Sequence, residues 1–136
     1  MFELFEHTAD LGLRVTSIDL DGLFRDAASG LFAMIAEPAP HGRPAGRREF
    51  EITGERHDFL MVDWLTELLY VFDTERLLSG EFEVTVHGSG LRASAACFAL
   101  DVEDYRVLRE VKAITYHGLK VERTADGWLA EVIVDI

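Results

Sequence analysis

Three polar sets interrupt otherwise apolar, strand-like stretches of this chain. They are Glu-His-Thr-Ala-Asp at 6–10, Thr-Tyr-His at 115–117, and Asp135 beside the terminal carboxylate of Ile136. Each falls at the end of a strand-like run, where a sheet brings side chains from distant segments together. Asp10, Asp135 and the Ile136 carboxylate offer only hard oxygen donors, which suit Ca²⁺, Mg²⁺ or Mn²⁺ rather than Zn²⁺. His7 or His117 would either join as an imidazole ligand or orient a carboxylate from behind it. Asp135 and the chain end are two negative groups on adjacent residues, and they repel unless a positive charge sits between them. Ordinary structural roles also fit. Asp10 precedes Leu11-Gly12 as a turn residue would, both histidines could bond to backbone, and Asp135 could be a solvated strand end.

Other chemistries find less support. No serine or cysteine sits in a recognisable nucleophile setting. The Gly-Ser-Gly at 88–90 lacks the helix and lysine of a phosphate loop; no Lys or Arg is obviously placed to clamp a phosphate, although Lys112 is a possible one. A metal-dependent phosphohydrolase using Asp10 and Asp135 as ligands, with His7 or His117 as acid–base, is the enzymatic alternative. It would need more bridging carboxylates than the motifs supply. Cys97 is the single cysteine, so neither an intrachain disulfide nor a thiolate cage is expected.

The 136 residues fit one domain, 1–136, and 49% hydrophobic content fills one core. The formal net charge of −12 repels phosphate backbones, so autonomous nucleic-acid binding is not expected. A metal cation or a basic protein partner suits that charge better. No apolar run approaches a membrane span, and the acidic start "MFELFEHTAD" does not read as an export signal. A cytoplasmic protein is the expectation.

The elements that must position these residues follow from hydrophobic spacing. "FELFEH" and "GLRVTS" alternate as strands. Apolar residues from Leu20 to Ile35 recur at helical steps, with Ser17 or Asp19 as cap. The stretch 37–47, with all three prolines, reads as an exposed loop, and Phe50 and Ile52 mark a strand. A second helix is expected from an Asp58 cap onward, burying Leu60, Met61, Trp64, Leu65, Leu68, Leu69 and Phe72. Phe82, Val84 and Val86 alternate, "HGSG" turns the chain, and Leu91 to Cys97 alternate on small residues. Residues 100–110 are ambiguous between a connection and a single helical turn. "VKAITYHGLKVER" reads as strand, and "ADG" turns into a closing strand with Val132 and Val134 on one face and Glu131, Ile133 and Asp135 on the other. The expectation is an α/β (α+β) fold: a compact two-layer sandwich of mixed or antiparallel sheet, with two main helices and about seven strands.

Four segments, "FEHTADLGLRV" (5–15), "DWLTELLYVFDTE" (63–75), "EVKAITYHGLKV" (110–121) and "VIVDI" (132–136), together resemble the archease family. The resemblance implies a compact α/β fold and a non-catalytic activator of an RtcB-type RNA ligase. Such an activator promotes guanylylation and turnover of the ligase in tRNA splicing or RNA repair. It further implies a site for Ca²⁺ at Asp10, Asp135 and Ile136. The chain departs from the family at 101–110, where many relatives carry a histidine and this chain reads "DVEDYRVLRE". The loop at 37–47 is likewise not a family feature.

Overall fold

Three antiparallel hairpins and two helices account for most of the architecture. The computed structural model describes residues 1–7 and 10–136 apart from the His7 side chain; Thr8, Ala9 and that side chain lie outside the described residues. β1 (Phe2–His7) and β2 (Asp10–Ser17) form the first hairpin, paired from Phe2↔Val15 to His7↔Asp10. The last strand, β10 (Gly127–Asp135), lies on the other side of β2, which places the end of the chain beside its start. The short β8 (Ala113–Ile114) and β9 (Lys120–Thr124) both pair with β10 and complete a five-stranded sheet. A three-stranded sheet runs β4 (Gly46–Thr53), β6 (Gly90–Ala99), β5 (Leu77–His87) in spatial order. β3 (Ala36–Glu37) pairs with β7 (Arg106–Val107) as a third, two-stranded sheet. Every pairing among the described residues is antiparallel.

The fold class is therefore the expected α+β one, with finer division of the strands. The loop expected at 37–47 is bounded by strand residues, and Arg106 bridges to Glu37 across the β3–β7 pair. The ambiguous stretch 100–110 is a connection containing one turn, closed by the Tyr105 N–H on the Asp101 carbonyl at 2.9 Å, and then β7. The single strand expected over 111–123 is broken into β8 and β9, because Thr115 folds back to bond the Ile133 carbonyl and the chain turns at 117–118.

Helix α1 (Leu20–Ile35) starts where expected: Asp19 Oδ1 accepts the Gly22 N–H at 2.7 Å, satisfying a donor that no helical carbonyl reaches. Helix α2 (His57–Glu75) begins one residue before the expected cap. Arg56 occupies the cap position without a side-chain bond. Asp58 sits in the first turn instead, where the Arg56 guanidinium and then the Phe59 amide hold its carboxyl below the usual range. Both helices touch strands of both main sheets. The core lies between these layers, with Leu13, Val15, Phe24, Leu31, Trp64, Leu68 and Val132 buried. Gly90 is needed at the β5–β6 turn, since its φ is +153° and a Cβ there would lie 2.0 Å from the Ile52 carbonyl oxygen.

Trp64 links these layers. It is fully buried, meets Phe50 and Phe82 edge-on at 5.3 and 6.2 Å, and donates its indole N–H to the Phe24 carbonyl of α1 at 3.0 Å. Trp64→Phe removes that bond, leaving the carbonyl only its partner within α1, and opens a gap. It is expected to lower stability by about 1–3 kcal/mol in denaturant titrations, the scale of one lost hydrogen bond and a partial core truncation.

Candidate metal centre

The β2–β10 ladder runs from Trp128↔Ser17 to Asp135↔Asp10, so the two aspartates are cross-strand partners. Neighbouring hydrogen bonds settle how they face each other. The Lys112 N–H donates to the Asp135 carbonyl at 2.8 Å, so the backbone of Asp135 bonds outward to the β8 side. On the other flank, the Thr16 N–H donates to the Met1 carbonyl around the Phe2↔Val15 pair, so alternation turns the backbone of Asp10 toward β1. Both arguments make Asp10↔Asp135 a pair without mutual backbone bonds. Such pairs have Cα atoms about 4.5 Å apart and the closest side chains in a sheet. Like charges placed there are destabilising.

The same face of the sheet continues in two further rows. Next to the aspartates come Phe5, Gly12 and Ile133. The Phe5 ring lies flat on Gly12, where a Cβ would come within 2.2 Å of it, and Ile133 is buried although it points away from the core. Beyond them Arg14 bonds Glu3 at 2.7 Å and Glu131 at 2.6 Å, and its guanidinium lies 4.6 Å from the Phe5 ring centroid. Those bonds, to Glu3 first and Glu131 next, raise the Arg14 pKa. Arg14 is four residues along β2 from Asp10, about 13 Å. That exceeds a Debye length of about 8 Å at physiological ionic strength, so Arg14 serves its own row and not the aspartates.

Ile136 follows Asp135 directly, and its side chain packs against the core, which anchors the last residue beside the aspartate pair. His117 is exposed in the turn after β8. Its N–H donates to Thr115 Oγ1 at 3.2 Å, and that hydroxyl donates to the Ile133 carbonyl at 2.8 Å. The turn is thus fastened two residues before Asp135. His7 is the backbone partner of Asp10. Among the described residues no three His, Cys, Asp or Glu side chains converge as metal ligands. Of the expected side-chain donors, the structure sets Asp10 and Asp135 directly opposite each other. Lys112, singled out in the sequence only as a phosphate clamp, instead fixes the end of β10 through its amide. It also lines a cleft of about 470 Å³ with Asp73, Arg76 and Arg109. Among the described residues no helix is long and apolar enough to cross a membrane.

Comparison with known proteins identifies the family and the fold. The profile of the archease protein family matches residues 2–136. The chain is 38% identical to protein archease of Pyrococcus abyssi over 140 residues, covering 99% of this chain and 98% of that protein. Protein archease of Methanosarcina acetivorans is 35% identical over 142 residues, covering 99% and 95%. The solution structure of Methanobacterium thermoautotrophicum protein 1598 superposes with a TM-score of 0.82 at 32% identity, covering 99% of this chain and 98% of that one.

The opposed aspartates carry a stability signature of their own. With chelator present, Asp135→Asn removes one of two facing charges and should stabilise the protein by about 0.2–1 kcal/mol, the usual scale for a cross-strand pair. Thermal melts in chelator measure it; a loss of stability would mean that each carboxylate is already compensated without a cation.

Proposed function

The chain belongs to the archease family, and from that premise we propose that it is a metal-binding, non-catalytic activator of an RtcB-type RNA ligase in the cytoplasm. The observation that carries the metal half of this reading is the direct opposition of Asp10 and Asp135 at the edge of the chain end. Asp10, Asp135 and the terminal carboxylate of Ile136 would hold Ca²⁺, with Mg²⁺ or Mn²⁺ as smaller alternatives that accept the same oxygen donors. His7 and His117 would stand behind them, orienting rather than binding. The cation would supply charge neutralisation at a place where the fold sets carboxylates face to face.

The partner half rests on family membership and charge. A net charge of −12 suits transient docking at a basic nucleotide and RNA channel, because opposite potentials speed encounter and fix orientation. The same charge works against holding RNA itself. An activator of this kind would promote guanylylation of the ligase and leave before RNA enters. Among the described residues, the Thr115 hydroxyl in the turn after β8 is engaged by the Ile133 carbonyl.

Two measurements test the two halves. In multiple-turnover assays with GTP, substoichiometric amounts of this protein should raise ligation by an RtcB-type enzyme, while the protein alone ligates and hydrolyses nothing. Phosphatase or nuclease activity that vanishes in Asp10→Ala would instead establish a hydrolase. For the metal, Ca²⁺ should raise the melting temperature of the unmodified protein and of Ile136→Val, as any ligand of the native state does. Deleting Ile136 moves the last carboxylate back by about 3.3 Å, more than ligand distances of about 2.3–2.6 Å tolerate. The deletion and a C-terminally tagged protein should therefore lose the Ca²⁺ response, and an N-terminally tagged protein should keep it. Equal responses from all five would remove the Ile136 carboxylate from the site.

A further inference from the structure

β4 ends its sheet: among the described residues it pairs only with β6, and its other edge is open. The Gly54 N–H donates to the Ser89 carbonyl, bracketing Thr53↔Gly90 as a pair without mutual backbone bonds. Alternation then makes Glu51↔Arg92 and Glu49↔Ser94 pairs of the same kind. The backbone N–H and C=O groups of Glu49, Glu51 and Thr53 therefore point away from β6, toward the open edge. The β4–β6 register from 46 to 53 has no bulge, and no proline interrupts it. This strand lacks the devices that usually blunt an exposed edge, apart from its charges.

Beside that edge lies a groove of about 590 Å³, walled on one side by residues 49–53 and on the other by Asp63, Thr66 and Glu67 of α2. Its charged lining is four carboxylates, Glu49, Glu51, Asp63 and Glu67, with no basic residue among them. Elsewhere Glu3, Asp26, Glu37, Asp58, Glu75 and Glu131 all meet a cation. Among the described residues the four groove carboxylates meet none, and the two arginines of β4 are turned elsewhere, Arg47 to Ser94 and Arg48 to Glu75. Tyr70, one turn beyond Thr66 and Glu67 and two beyond Asp63 on the same helix stripe, is 62% exposed.

We propose that this groove receives an extended, lysine- or arginine-bearing protein segment, which adds as a fourth strand to the β4 edge and sets its cations against Glu49, Glu51, Asp63 and Glu67. The open backbone groups supply the main-chain bonds of strand addition, and alternate side chains supply the specificity. Lysines facing α2 meet Asp63 and Glu67, and those on the opposite face lie beside Glu49 and Glu51. Tyr70 offers a ring for a cation or an aliphatic stem. A second copy of this chain fits poorly, since it would bring another net charge of −12 and another purely acidic groove. The inference is independent of the ligase assignment, and its test contains no ligase.

The probe is the blocked peptide KKTVKKTVKK, titrated into isotope-labelled protein with the glutamate analogue EETVEETVEE as control. The lysine peptide should shift and protect from exchange the amides of Glu49, Glu51 and Thr53, more weakly as salt rises. Glu51→Pro removes an outward-pointing N–H without touching the β4–β6 ladder, a placement proline tolerates at a sheet edge. It should weaken binding by roughly tenfold or more, as should Asp63→Lys with Glu67→Lys, which alters only exposed helix positions. Should the proline variant fail to fold, the double lysine variant alone decides. The proposal is overturned if the peptide first perturbs the Asp10 and Asp135 amides, if the folded variants bind it as tightly as the unmodified protein, or if sedimentation shows a dimer that already protects 49–53 without peptide.

Discussion

The ladder between β2 and β10 joins residue 10 to residue 135, and the register of that ladder decides what the end of the molecule can do. On its core face Leu13, Val15, Ala130, Val132 and Val134 are all fully buried. A slip of one residue would turn these outward and drive Asp135 and Glu131 into the core. Burying the four larger side chains is worth roughly 6–12 kcal/mol at about 1.5–3 kcal/mol each. Holding two carboxylates opposite each other costs only about 0.2–1 kcal/mol on a solvated sheet face. The hydrophobic term wins by a wide margin, so the fold imposes the facing aspartates whether or not a cation is bound.

The other face of the same ladder shows how the strain is contained. Phe5 lies on Gly12 in the row that also holds buried Ile133, an apolar row between the aspartates and the Arg14 network. Glu3, Arg14, Glu131 and Lys120 neutralise one another in their own row. The aspartate row lies at the rim, next to a turn that Thr115 and Lys112 fasten to the last strand. An acidic end with fixed geometry suits an ion and a brief encounter with a basic surface. The β4 groove would hold a partner by a different means, through main-chain bonds first and charge second.

Much of this was legible in the sequence because its signals were local. The helical spacing from Leu20, the Asp19 cap, the alternation of Leu91 to Cys97 and the apolar stripe of α2 each depend on neighbours within a turn or two. Asp10 and Asp135 stood out as polar residues at the ends of apolar strands, but nothing local says that strands 125 residues apart pair in register. That information lies in the long-range fit of the core. The break between β8 and β9 was missed because Val111 to Arg123 alternates well enough for one strand; it is the bond from Thr115 to a carbonyl of β10 that ends the first piece. Asp58 looked like a cap because its side chain suits one, yet Arg56 and the Phe59 amide engage it inside the first turn. The open edge of β4 is invisible in the sequence, since alternation reads the same for an edge strand and a central one.

The central claim is that one divalent cation sits between Asp10, Asp135 and the carboxylate of Ile136. Its most direct test is an anomalous difference map from crystals grown with Mn²⁺, an anomalous scatterer that takes the same oxygen donors as Ca²⁺ and Mg²⁺. The account predicts a single strong peak within coordination distance of oxygens from all three residues, abolished in Asp10→Asn. A map with no peak there, or with its strongest peak ringed by other carboxylates, would contradict it.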